Sequence, residues 1–219
     1  YIVLGVTTEG YKDILSITVG ANESSRFWLG MLNDLKNRGV QDVLFFCVDG
    51  LPGFRDAIQT VYPQAQIQRC IIHMLRNSFK YVNYNDLKKF ASDFKAVYNA
   101  PTEEAGKAEL EVLKDSWGKK YPYAIRSWED NWEDLNSFFQ FSGELRRIMY
   151  TTNIIEGVNR QYRKVTKNKS VFPSDASLAK MLYLASQNIT KKWTQRYRNW
   201  DQVLNQLILL YGERLEDYL

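Results

Sequence analysis

A chain of 219 residues with 45% hydrophobic and 25% charged residues can fill one large folded domain, or a domain carrying a sizeable insertion. The net charge of +4 permits a nucleic-acid partner without requiring one, so the placement of the 29 basic residues matters more than their number. Two cysteines and one histidine exclude a disulfide framework and a self-contained four-ligand zinc site. The sparse cysteines suit a reducing cytosol, so a cytoplasmic, nucleoid-associated protein is expected; no apolar run approaches the roughly 18 to 20 residues that cross a bilayer, and no membrane partner is expected.

Taken in chain order, residues 1 to 22 read as a hairpin: a strand from Tyr1 to Val6, a turn at Thr8-Glu9-Gly10, and a strand from Ile14 to Val19. The opening inside a strand-like run predicts a fragment or excised domain of a longer protein, or a truncated reading frame. Ser24-Ser25 caps a helix through Phe27, Met31, Leu32 and Leu35 that ends at Asn37-Arg38-Gly39. The continuous apolar run Val43 to Val48 predicts a strand buried on both faces, as in a parallel or mixed sheet. Asp49-Gly50-Leu51-Pro52-Gly53 then leads into a helix carrying Phe54, Ala57, Ile58 and Val61. A short strand at Ala65 to Gln68 and a helix from Cys70 to Tyr81 complete an α/β pattern over residues 1–82.

From Tyr84 to Tyr150 the spacing turns helical throughout. Leu87, Phe90, Phe94 and Val97 mark one helix, Pro101-Thr102-Glu103-Glu104 opens a second reaching Trp117, and Trp128, Trp132, Leu135 and Phe139 mark a third stretch. Residues 83–150 therefore read as an all-helical insertion. Residues 151–219 return with a cap at Thr151-Thr152-Asn153, a helix to Lys167, and two more helices at Asp175 to Lys192 and Trp200 to Leu215.

Four groups of residues can carry chemistry. Asp49 follows the strand expected to be central, where open α/β sheets bind ligands; it suits a metal ligand, and equally a turn or helix cap. Glu156 leads a helical stripe with Arg160, Arg163 and Lys167, while Lys164 and Lys169 lie nearby. Between Leu145 and Ser170 there are seven Lys or Arg and the single acid Glu156, a pattern that suits a metal-binding carboxylate among phosphate-binding cations. The same pattern suits a solvated face with a Glu156–Arg160 pair. Ile154, Ile155, Val158, Tyr162 and Val165 form that helix's apolar stripe. Cys70 and His73, spaced C-x-x-H, are half a zinc site; they read either as a buried thiol and a hydrogen-bonded helix histidine, or with His73 as a catalytic residue near the active-site cleft that contacts DNA or orders a carboxylate. Trp128 and Trp132, one turn apart, are either insertion core or rings that stack on an unpaired base.

Three blocks carry a resemblance: Cys47-Val48-Asp49-Gly50-Leu51-Pro52-Gly53-Phe54, Gln68-Arg69-Cys70-Ile71-Ile72-His73 and Tyr150-Thr151-Thr152-Asn153-Ile154-Ile155-Glu156. In this order they resemble bacterial insertion-sequence transposases of the Mutator-like group, as do Trp28-Leu29, Leu35-Lys36-Asn37-Arg38-Gly39 and Lys191-Lys192-Trp193. The resemblance covers essentially the whole chain. It implies a ribonuclease-H-like mixed-sheet core with a helical insertion and C-terminal helices, and a DDE catalytic set in which Asp49 matches the second Asp and Glu156 the Glu. Cys70 and His73 match the family's C-x-x-H signature. The first Asp of the family lies upstream of the segment matching Tyr1 to Val6, so the first core strand is expected there and this polypeptide alone is expected to be impaired.

The resemblance further implies Mg²⁺ or Mn²⁺ as cofactor and DNA, both element ends and target, as partner. It implies nicking and strand transfer by an assembly of identical chains. The competing class is a catalytically inactive remnant that binds DNA or transposase subunits; a different ribonuclease-H-like nuclease is a further alternative.

Overall fold

The computed structural model describes residues 1–20, 23–150, 153–167, 169 and 171–218. They form two compact units. One comprises residues 1–44, 51–65 and 151–219; the other comprises 45–50 and 66–150. The expected helical insertion thus belongs to a unit that also takes in both short parallel strands and the helix carrying His73.

In the first unit, β1 (Ile2–Val6) pairs antiparallel with β2 (Lys12–Ile17), with Ile2 opposite Ile17, Leu4 opposite Ile14 and a bulge between Val3 and Leu4. The turn closes through Gly10, whose φ of +87° brings the backbone against Trp200. Ile2, Leu4, Ile14 and Ile17 give the hairpin one apolar face. On it pack Val158 and Tyr162 of α9 (Asn153–Thr166) and Ala185 of α10 (Asp175–Thr190). Without these helices the face would stay in water, and an isolated two-stranded ribbon is marginal.

Helix α1 (Ser25–Asn37) starts where Ser24 Oγ accepts from the Phe27 N–H. It ends in a Schellman motif: Gly39, at φ +106°, donates to the Lys36 carbonyl and Val40 to that of Leu35. Its Trp28, Leu32 and Leu35 are buried with Ile58 of α2 (Phe54–Val61). Each such burial is worth about 1.5–3 kcal/mol. At the far end of α11 (Trp200–Leu215), Arg214 grips both Asp42 carboxylate oxygens, at 2.6 and 3.0 Å, and the carbonyls of Val43 and Gln64.

In the second unit, β3 (Phe45–Val48) pairs parallel with β4 (Gln66–Arg69). Five α-helices longer than one turn surround or extend this pair: α3 (Ile71–Phe79), α4 (Tyr84–Asn99), α5 (Glu103–Trp117), α6 (Pro122–Glu129) and α8 (Gly143–Tyr150). Between α6 and α8 lie the single turn α7 (Trp132–Leu135) and a 3₁₀ segment, Asn136–Gln140. The stretch expected as one helix over Trp128 to Phe139 is therefore broken. Asn131 ends α6 by donating its side-chain amide to the Ser127 carbonyl at 2.7 Å, a local bond that competes with helix continuation. The core is aromatic: Phe90, Phe94 and Trp128 are sealed, with rings 4.8–4.9 Å apart.

Two expectations about the sheet are corrected. β3 starts at Phe45, not Val43, because the Val43 carbonyl is taken by Arg214. β3 is also not buried on both faces: Phe45, Phe46 and Val48 are half-buried and Cys47 is exposed. Among the described residues β3 pairs with β4 alone and the hairpin forms a separate sheet, so the α/β class holds without one continuous mixed sheet.

Candidate functional site

The register of the parallel pair builds the site. Val48 lies opposite Arg69, so the next residue on each strand, Asp49 and Cys70, leaves the sheet at the same level and the same carboxyl end. The Cys70 N–H extends the ladder by donating to the Val48 carbonyl at 2.8 Å. Cys70 then caps α3 with extended backbone, which puts His73 in the first turn. Helical side chains lean toward the N-terminus, so the imidazole returns over the strand ends.

The outcome is a cluster of three unlike side chains. One ligand-capable atom from each of Asp49, Cys70 and His73 lies within 4.8 Å of the others. His73 Nδ1 is 2.5 Å from Asp49 Oδ1, with both side chains about 40% exposed. The approach is off the line of a regular hydrogen bond, so Nδ1, itself shut off from solvent, has no well-aligned partner. Burial holds the Cys70 thiol above its ordinary range, and the Asp49 charge acts in the same direction.

A cation that the sequence did not single out stands beside this cluster. Arg69, between Gln68 and Cys70, turns its guanidinium across Gly50, where an added Cβ would meet Cζ at 2.6 Å. It is held there by Asn131 and, at 4.0 Å, by Asp134. Its position depends on a residue 62 places away, so local pattern gave no warning.

Glu156 is half-buried in the first turn of α9, in the first unit rather than the second. On the same helix Arg160, Arg163, Lys164 and Lys167 are all exposed, and Lys169 lies beyond it with its ammonium 6.0 Å from the Phe172 ring. The apolar stripe of α9 is narrower than expected. Val158 and Tyr162 are buried, Ile154 and Ile155 half-buried, and Val165 38% exposed. Val165 instead borders an open groove of about 420 Å³ that Lys12, Lys164, Lys192 and Trp193 also line. Lys12 reaches it from β2 and hangs 5.9 Å from the Trp193 ring. Lys192 and Trp193 were visible as a motif, but only the packing of α10 on the hairpin brings them to Lys12.

Two groups of the expected interface are corrected. Trp128 and Trp132 are 1% and 5% exposed, so neither ring offers a face to a base. Trp128 donates to Ser78 Oγ at 2.9 Å and Trp132 to Glu103 Oε1 at 3.0 Å, so both serve the helical core. Arg146, one of the seven cations counted near Glu156, is buried and donates to the carbonyls of Phe139, Phe141, Ala100 and Pro101. It braces the α5–α8 region and adds nothing to a charged surface.

Comparison with known proteins points the same way as the three sequence blocks. Residues 1–196 match the family model described as "Transposase, Mutator family". The chain is 41% identical over 98% of its length to a probable transposase for insertion sequence element ISRM3-like of Sinorhizobium fredii, of which it covers 54%. It is 40% identical to the transposase for insertion sequence element ISRM3 of Rhizobium meliloti, with the same coverage, and 37% identical to a probable insertion-sequence transposase of Corynebacterium diphtheriae, of which it covers 70%. The chain thus spans about half the length of the two rhizobial relatives.

Proposed function

The chain belongs to the Mutator family of transposases, and from that premise we propose that it carries part of a metal-dependent DDE centre for DNA strand cleavage and strand transfer. The observation that carries this reading is the placement of Asp49: a half-exposed carboxylate at the carboxyl end of β3, with the His73 ring set against it. A carboxylate so placed fits a hard divalent cation such as Mg²⁺ or Mn²⁺, which is held by one or two carboxylates together with substrate phosphate. Asp49 and Glu156 each offer a carboxylate to such an ion, in the framework that the resemblance implies, a ribonuclease-H-like core. When bound, such ions supply an activated attacking oxygen and a stabilised leaving oxygen.

The chain's own residues do the rest. His73 fixes the orientation of the Asp49 carboxylate. Arg69 offers a positive charge beside the same strand end. Arg160, Arg163, Lys164, Lys167 and Lys169 supply exposed cations for the phosphate backbone, and identical chains assemble on the DNA they join.

The test is cleavage and joining of element-end DNA in Mg²⁺ or Mn²⁺ by a full-length transposase that contains this chain together with the first Asp expected upstream, unaltered and as Asp49→Asn and Glu156→Gln. Both substitutions keep shape while removing a charge, and both are expected to abolish the reaction with DNA binding retained. Undiminished cleavage in either variant would remove that carboxylate from the centre.

A further inference from the structure

The C-x-x-H spacing of Cys70 and His73 is half a metal site, and the fold supplies a third donor. We propose that Asp49, Cys70 and His73 form a binding site for one thiophilic divalent cation of the Zn²⁺ class. The inference shares Asp49 with the proposed DDE centre but rests on these three side chains alone.

The geometry is of the right scale. A tetrahedral ion with bonds of about 2.0–2.3 Å holds its ligand atoms roughly 3.3–3.7 Å apart. The donor atoms here all lie within 4.8 Å of one another, with the Asp49–His73 pair at 2.5 Å, which is the scale that such an ion needs. The parallel register, Val48 opposite Arg69, brings the residues that follow, Asp49 and Cys70, to the same end of the strand pair. His73 Nδ1 faces the cluster 2.5 Å from Asp49 Oδ1, and it becomes a ligand when the ion displaces the proton held between them.

The donor set decides the kind of ion. Mg²⁺ takes oxygen ligands and demands near-octahedral geometry, so it makes no use of a sulfur and an imidazole nitrogen. Borderline ions take thiolate, imidazole and carboxylate together. Three protein donors leave a fourth position for water or another oxygen, as in open rather than structural zinc sites. The cluster is half-exposed, so an ion has a path in. A consequence follows for Asp49: Zn²⁺ occupancy withdraws that carboxylate from any hard cation competing for it.

The probe is Co²⁺ added to the purified full chain, followed by Zn²⁺ displacement. One Co²⁺ per chain should give visible ligand-field bands and a near-ultraviolet sulfur-to-cobalt band, and Zn²⁺ should erase both. Cys70→Ser should remove the sulfur band, while Cys47→Ser, altering the exposed cysteine outside the cluster, should leave it intact. His73→Ala and Asp49→Asn should each weaken Zn²⁺ binding by about 10- to 100-fold. If Cys70→Ser does not fold, alkylation of the unaltered chain decides: Zn²⁺ should protect Cys70 against iodoacetamide. A sulfur band that survives Cys70→Ser, or alkylation of Cys70 at the same rate with and without Zn²⁺, would overturn the site. Neither readout involves DNA, so failure here leaves the DDE reading standing, and loss of the DDE reading leaves these spectra unchanged.

Discussion

The guanidinium of Arg69 lies across Gly50, so close that a methyl group on Gly50 would collide with Arg69 Cζ at 2.6 Å. Because Arg69 is tethered to Asn131 and Asp134, it cannot simply swing aside. Gly50→Ala should therefore cost about 1 kcal/mol of stability through overpacking. In an Arg69→Ala background the same substitution should cost almost nothing. Urea denaturation of the four variants of that cycle checks it; equal costs in both backgrounds would mean that Gly50 is needed for some other reason.

Arg146 is a buried cation satisfied by four main-chain carbonyls, with Phe138 and Phe139 rings 5.6 and 5.2 Å away. A lysine keeps the charge but cannot span those acceptors with one ammonium group. Arg146→Lys should lower stability by about 3 kcal/mol, measured by thermal or chemical unfolding, without a change in DNA affinity. A loss of DNA affinity in a fully stable Arg146→Lys chain would return this residue to the charged surface.

Trp128 separates core from interface in a similar way. Trp128→Ala should destabilise by about 3–5 kcal/mol, and Trp128→Phe by about 1 kcal/mol, since the second mainly loses the bond to Ser78. Tryptophan fluorescence should show no quenching of Trp128 by single-stranded DNA. Quenching specific to this ring would show that a base reaches it.

The Asp42–Arg214 clamp makes an acid-sensitive contribution. Burial alone would raise the Asp42 carboxyl, but the Arg214 guanidinium and the Val43 N–H outweigh it and leave the group below its ordinary value. A depressed folded value means that the stabilisation is complete above the unfolded value of about 3.9 and disappears as pH falls through the lower folded value. Asp42→Asn should cost about 1 kcal/mol near neutrality and flatten the acid limb of the stability curve below about pH 4. An acid limb of unchanged slope would assign that loss to other carboxylates.

The exposed cations of α9 predict a particular form of DNA binding. Replacing Arg160, Arg163 and Lys167 with Ala should weaken binding to unrelated duplexes equally. The slope of log affinity against log salt should fall by about 0.9 per lost phosphate contact. Fluorescence anisotropy at several salt concentrations reads both quantities, and a loss confined to one sequence would point to base contacts instead.

Helices were legible where apolar spacing and caps agreed. Ser24, Thr102 and Gly39 mark ends that the structure keeps, and α4, α5 and α10 fall close to their expected bounds. The break at Asn131 was not legible, because it depends on one side-chain bond within a sequence whose apolar spacing continues. Asp49 and the C-x-x-H pair were each visible, and a histidine that orders a carboxylate was one reading of His73, but the convergence of all three side chains was not legible. It follows from the pairing of Val48 with Arg69, and short strands do not announce their partners. Val43 to Val48 misled for a related reason: apolar character was read as two-sided burial, although Arg214, 171 residues away, claims the start of the run. The Arg146 charge was counted correctly and placed wrongly, since sequence does not distinguish an arginine facing water from one ringed by carbonyls.

The apolar face of the β1–β2 hairpin has a bearing on how the polypeptide is made. Ile2, Leu4, Ile14 and Ile17 leave the ribosome well over a hundred residues before Val158, Tyr162 and Ala185, which cover them. At ordinary elongation rates that interval is on the order of ten seconds. Throughout it, nascent chains carry this apolar ribbon without the helices that cover it.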